Sequence, residues 1–176
     1  MSDFKQRTTT KKGDYGEDLV NRYLLHNGCI PYIPIADHAH PFDRLCVNRA
    51  GRIFIAEVKS KARRNRYPDT GINVLHYEKY KQVRNEHNLD VFIIFVDEML
   101  AQMYGNWLRE LERKVFIWHN DKQIEYPLIQ GGIIYFPYDS MIIIKRLSRA
   151  DVDQLKELST RSYGYEAQGN TTTVTD

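Results

Sequence analysis

At 176 residues, with 42% hydrophobic, 27% charged and 12% aromatic side chains, the chain has the composition of one globular domain, which excludes a disordered, collagen-like or membrane-spanning protein. Lys and Arg number 25 against 23 Asp and Glu, a net charge of +2 that argues for no polyanionic partner unless the basic residues cluster. Cys29 and Cys46 are the two cysteines; without CxxC or Cys/His spacing they exclude a zinc module and a disulfide scaffold, and with no signal-like or bilayer-length apolar run an intracellular protein with no membrane partner is expected.

Residues 1–12 are polar, carry four basic residues against one acid, and show no periodicity, so a flexible basic arm is expected there. Over 14–27, Leu19, Val20, Tyr23 and Leu24 recur at helical spacing and Gly28 supplies a stop. The proline-interrupted run 30–35 reads as an edge strand. Two strands, 42–47 and 52–59, flank Arg49, Ala50 and Gly51, a three-residue loop with glycine where a left-handed residue is wanted. A basic loop follows, then a helix over 76–88 and the continuously apolar run 91–96, as in a strand covered on both faces. Further on, a helix is predicted over 106–114, strands over 115–118, 132–136 and 141–145, and a closing helix capped by Ser148 with Asp151 three residues on. The folded domain is expected over 13–158, with a flexible tail over 159–176. Helices alternating with strands, without repeat or linker, give a single α/β domain.

The hairpin concentrates charge. Side-chain alternation points Asp43, Leu45 and Val47 one way, and Ile53, Ile55, Glu57 and Lys59 share one face of the next strand. If the loop sets the register, Val47 pairs with Ile53, Leu45 with Ile55, and Asp43 falls opposite Glu57 with Cβ atoms roughly 5 Å apart; a bulge at Gly51 would shift this by one residue. Two facing carboxylates on an apolar sheet face repel and lose hydration. A divalent cation compensates them, and oxygen-only ligation suits magnesium or manganese. Lys59, one alternation beyond Glu57, stands where an ammonium orients or deprotonates water and offsets charge on a phosphate. Glu17 shares the apolar stripe of the first helix with Val20 and Leu24 and could face the same metal.

The order Glu17, then Pro41, Phe42 and Asp43, then Glu57, Val58 and Lys59 resembles the PD-(D/E)XK nuclease superfamily, over residues 13–96. The helix glutamate after Gly13-Asp14-Tyr15-Gly16 and the Glu57-Val58-Lys59-Ser60 run look most like Holliday-junction resolvase-type and related phage nucleases. The resemblance implies a central mixed β-sheet flanked by helices, as in restriction endonucleases. It implies that Asp43, Glu57, the Val58 carbonyl and Glu17 hold Mg2+ or Mn2+, and that Glu17, Asp43, Glu57 and Lys59 form the catalytic set. The implied activity is DNA hydrolysis that leaves a 5′-phosphate, the implied substrate branched or structured DNA, and the implied assembly a homodimer; the residues themselves do not separate DNA from RNA. His76 and Tyr80 share a helix face as the Gln and Tyr of the RecB-like branch do, with histidine in place of glutamine.

Simpler explanations compete at each position. An E-x-K triplet arises by chance in a chain of this size. Glu17 could close a capping box with Asp14, and Lys59 or Arg44 could form an ordinary salt bridge with the acids. Residues 59–66 hold five basic residues and no acid; Lys61, Arg63, Arg64 and Arg66 either contact phosphates beside the site or form a solvated run. Asp37, His38 and His40 suit a surface loop better than a metal site, Tyr77 and Tyr80 fit helix packing, and the cysteines fit the core. The rival to a nuclease is a non-cleaving nucleic-acid-binding or accessory protein of the same fold.

Overall fold

The computed structural model describes residues 8–34 and 42–166. The elements are α1 (Thr8–His26), β1 (Ile30–Tyr32), β2 (Arg44–Val47), β3 (Ile53–Lys59), β4 (Asp69–Asn73), α2 (Val74–His87), β5 (Val91–Asp97), β6 (Gln102–Trp107), α3 (Leu108–Leu111), β7 (Val115–His119), β8 (Lys122–Tyr126), β9 (Leu128–Gln130), β10 (Ile133–Pro137), β11 (Ile142–Arg146) and α4 (Arg149–Glu166).

The central sheet has six strands in the order β1-β2-β3-β5-β6-β11. β3 and β5 are parallel and the other neighbours antiparallel, so the sheet is mixed, with α2 in the crossover that a parallel pair requires. Period-two alternation along β3 and β5 divides the interior. Ile55, Ile93 and Phe95 meet Tyr77 and Tyr80 of α2 and Ile72 and Phe136 of a small sheet ordered β4-β10-β9. Ala56, Val58, Ile94 and Val96 meet Leu19, Val20 and Leu24 of α1 and Leu155 of α4. The result is a single α/β domain whose mixed sheet is covered on both faces. No described helix is long and apolar enough to cross a membrane.

The structure departs from the sequence expectations at particular places. α1 begins at Thr8, so part of the expected arm is helical, and Lys12 reaches Glu98 across 2.6 Å. α4 is capped as expected, Ser148 Oγ accepting from the Asp151 amide at 3.2 Å, but runs on to Glu166. The expected helix over 106–114 is the end of β6 followed by the single turn of α3. The tight β5–β6 connection contains neither Gly nor Pro; Asp97 builds it by accepting from the Met99 and Leu100 amides at 2.8 and 2.9 Å. β4, read as loop, pairs along its length with β10.

Candidate active site

Asn48 sets the β2–β3 turn: its Oδ1 accepts from the Ala50 and Arg52 amides, each at 3.0 Å, and Gly51 takes φ +76°. The ladder that follows pairs Val47 with Ile53, Leu45 with Ile55 and Arg44 with Ala56, the register expected from the loop, with no bulge. One step further, Asp43 meets Glu57. The Asp43 amide donates to Glu57 Oε2 at 3.2 Å, and the Val58 amide donates to Asp43 Oδ2 at 2.7 Å. Lys59 Nζ lies 2.5 Å from Glu57 Oε1, and the same oxygen accepts from the Tyr80 hydroxyl. The Glu57 side chain is 3% exposed and that of Lys59 24%, so solvent reaches the pair from the Lys59 side.

These contacts oppose one another. Burial, and then the charge of Asp43, push the Glu57 carboxyl above the ordinary carboxylate range, while Lys59 and Tyr80 pull it back. Burial and the Glu57 charge push the Tyr80 hydroxyl up, which keeps it a donor. His76 packs edge-on to Tyr80, ring centroids 6.4 Å apart; burial, then the charges of Lys59 and Lys79, hold it below the usual histidine value.

Glu17 arrives from the other side of the sheet. α1 covers the face that Arg44 and Cys46 share, opposite to that of Glu57. Arg44, fully buried, donates Nη1 to the Glu17 carbonyl at 3.0 Å and Nη2 to Glu17 Oε2 at 3.1 Å. Glu17 is half-buried and its pKa is pushed up to about 7, by burial first and then by Asp43, against the pull of Arg44. The capping box with Asp14 does not form, because α1 is already under way at Thr8. Among the described residues, no three His, Cys, Asp or Glu side chains gather closely enough to hold a metal: Asp43 and Glu57 converge and Glu17 stands off, tied to Arg44.

The basic run leaves β3 and divides by role. Arg64 is bound to Asp69 (Nε–Oδ1 2.6 Å, Nη2–Oδ2 2.5 Å) and stacks over Tyr135 at 3.8 Å, so it anchors the loop. Lys61 reaches the Gly71 carbonyl at 3.3 Å, and burial lowers its pKa. The Arg63 amide donates to Asp97 Oδ2 at 2.9 Å, while the Arg63 and Arg66 side chains pair with no carboxylate among the described residues, and Arg66 is exposed. Asp37, His38, His40 and Pro41 lie outside the described residues.

No protein-family model matches the sequence, and no curated protein matches it. Among solved structures the chain is similar to Archaeoglobus fulgidus Hjc, a Holliday junction resolvase from an archaeal hyperthermophile, with a TM-score of 0.50 and 12% identity over 73% of this chain and 90% of that one. This chain has the resolvase's fold.

On that fold the Asp43–Glu57 pair fits a divalent cation. It presents oxygen donors alone, which suit magnesium or manganese completed by water and phosphate, and the raised proton affinity of Glu57 marks charge that a cation would neutralise. The Val58 amide already serves Asp43, so the pair is pre-oriented. Sequence reasoning underweighted two residues: Tyr80, legible from its place on the buried face of α2, and Arg44, legible only as a basic residue alternating away from Asp43.

Proposed function

We propose that the chain is a divalent-metal-dependent endonuclease that hydrolyses phosphodiester bonds in DNA, branched or structured DNA in particular, with Asp43 and Glu57 holding Mg2+ or Mn2+ and Lys59 and Glu17 completing the catalytic set. The observation that carries this reading is the facing of Asp43 and Glu57 across the β2–β3 ladder with Lys59 on the Glu57 carboxylate. The likeness to the resolvase supports it through the fold.

Hydrolysis needs water to attack phosphorus as the bond to the 3′ oxygen breaks, the 3′ oxygen taking a proton and the phosphate staying on the 5′ side. When bound, the cation supplies Lewis acidity and positive charge at the phosphate. The Val58 amide and Tyr80 hydroxyl keep Asp43 and Glu57 in place beforehand. Lys59, the more exposed member of its pair with Glu57, offers its ammonium to the water and to the charge growing on the phosphoryl oxygens. Arg44 holds Glu17 beneath the strand ends; from there Glu17 acts on the site by its charge. Arg63 and Arg66 contact flanking phosphates, with Lys61 and Arg64 shaping the loop that presents them.

The Lys59–Glu57 ion pair also favours a second reading, a nucleic-acid-binding protein of this fold that does not cut. Plasmid, linear, single-stranded and four-way-junction DNA, and RNA, incubated with wild type and Asp43→Ala in magnesium, manganese or EDTA separate the two. Metal-dependent cleavage by wild type alone is expected, with the junction cut preferentially. Binding without cleavage in any metal would leave the second reading.

A further inference from the structure

Arg44 opens β2 with a fully buried side chain, on the sheet face where Cys46, Ala56 and Val58 meet α1. It grips one residue twice: Nη1 donates to the Glu17 carbonyl at 3.0 Å and Nη2 to Glu17 Oε2 at 3.1 Å, so the backbone and the side chain of Glu17 are fixed together. Nε is buried as well and has no hydrogen-bond partner among the described residues, and Glu17 is the one carboxylate among them that Arg44 pairs with. α1 lies close against the strand end here. A Cβ at Gly16 would reach Ser60 Oγ, one residue beyond Lys59, so glycine lets the turn that carries Glu17 settle against the end of β3.

Asp43 and Glu57 both act on the Glu17 carboxyl through their charge. A divalent cation held by Asp43 and Glu57 therefore attracts Glu17 too, and to become a ligand Glu17 has to leave Arg44. The guanidinium cannot give up its proton and has no contact with solvent, so the departure strands a buried charge, the most costly way to break an ion pair. The cation needs Glu17 less: magnesium, and manganese with the same donors, keep several waters and bind through one or two carboxylates. Arg44 therefore outcompetes the cation for Glu17. A second cation about 4 Å from the first would need a further acid, and the acid that feels both charges is the one Arg44 holds.

We propose that Arg44 is a positioning residue that withholds Glu17 from the metal, so that the site takes one divalent cation through Asp43 and Glu57 and Glu17 acts on it by charge alone. The proposal deepens the nuclease reading and rests on it for the place of the cation. The test is binding of Mn2+ alone, without nucleic acid, to the full chain, followed by the electron paramagnetic resonance of the free ion and by calorimetry. Wild type is compared with Asp43→Ala, Glu17→Gln, Arg44→Met and Arg44→Met/Glu17→Gln, each checked for an intact fold by circular dichroism. Methionine fills much of the arginine's space without its charge, a replacement that buried ion pairs tolerate.

Wild type should bind one Mn2+ that Asp43→Ala binds at least about tenfold more weakly. Glu17→Gln should stay within about threefold of wild type, because its lost charge is screened and its lost oxygen is not a ligand. With Arg44 gone the carboxylate is free to join the ion, so the same Glu17→Gln change should cost at least about tenfold in the Arg44→Met background. A larger loss in Glu17→Gln alone, two Asp43-dependent ions in wild type, or equal effects of Glu17→Gln in the two backgrounds would each overturn the proposal and leave the metal site standing. Where Arg44→Met does not fold, the comparison of Glu17→Gln with wild type decides by itself. Mn2+ binding that survives Asp43→Ala unchanged, or no binding by wild type, overturns the metal site of the nuclease reading and the proposal with it.

Discussion

Glu57 is a buried carboxylate that faces another carboxylate, and the fold answers with Lys59, Tyr80 and the Asp43 amide. That facing pair was legible in the sequence because side-chain alternation and a three-residue loop are enough to put position 43 opposite 57. The Glu17–Arg44 bond was not legible: it depends on which face of the sheet α1 covers, and local sequence carries no such information. Glu17 supplies a pH test of this arrangement. Its folded pKa of about 7 lies above the ordinary 4.5, so in that window the folded state binds more protons than the unfolded one and stability falls as pH rises. In EDTA, Glu17→Gln should therefore flatten the decline in urea-unfolding stability between about pH 5 and about pH 8, gaining most at the alkaline end. A decline parallel to that of wild type would mean that Glu17 is not strained by its surroundings.

At the scale of elements, the long periodic segments and the β2–β3 hairpin were readable, and the pairings with distant strands were not. α2 and β5 lie close to their predicted ranges because an apolar stripe and a run buried on both faces are local signals. β4 exists because of a strand that lies far away in sequence, β10, whereas β6 is held first by its neighbour β5 and then by the distant β11, and it also depends on a glycine. A Cβ at Gly105 would lie 2.0 Å from the Ile93 carbonyl oxygen, a backbone atom that cannot turn aside without breaking the β5–β6 ladder. At Gly16 a Cβ would meet Ser60 Oγ at 1.8 Å, a hydroxyl that can rotate, and alanine regains about 1 kcal/mol of helix propensity there. Gly105→Ala should cost about 3 kcal/mol in urea unfolding, and Gly16→Ala close to nothing. Equal losses would show that α1 sits against Ser60 as rigidly as the strands sit against each other.

For the whole molecule, one α/β domain brings the hairpin acids and the basic loop that continues β3 together with the α2 tyrosine at one end of a mixed sheet. This is the resolvase's fold, reached at 12% identity, where the sheet architecture persists while most side chains differ. On the nuclease reading, Glu57 is kept buried for chemistry rather than for stability. The most direct test is the rate of DNA cleavage in magnesium by Glu57→Gln, which keeps the side chain's shape and removes its charge. The rate should fall roughly a thousandfold or more in protein whose unfolding midpoint matches that of wild type. Cleavage at the wild-type rate by the folded variant would contradict the assigned site.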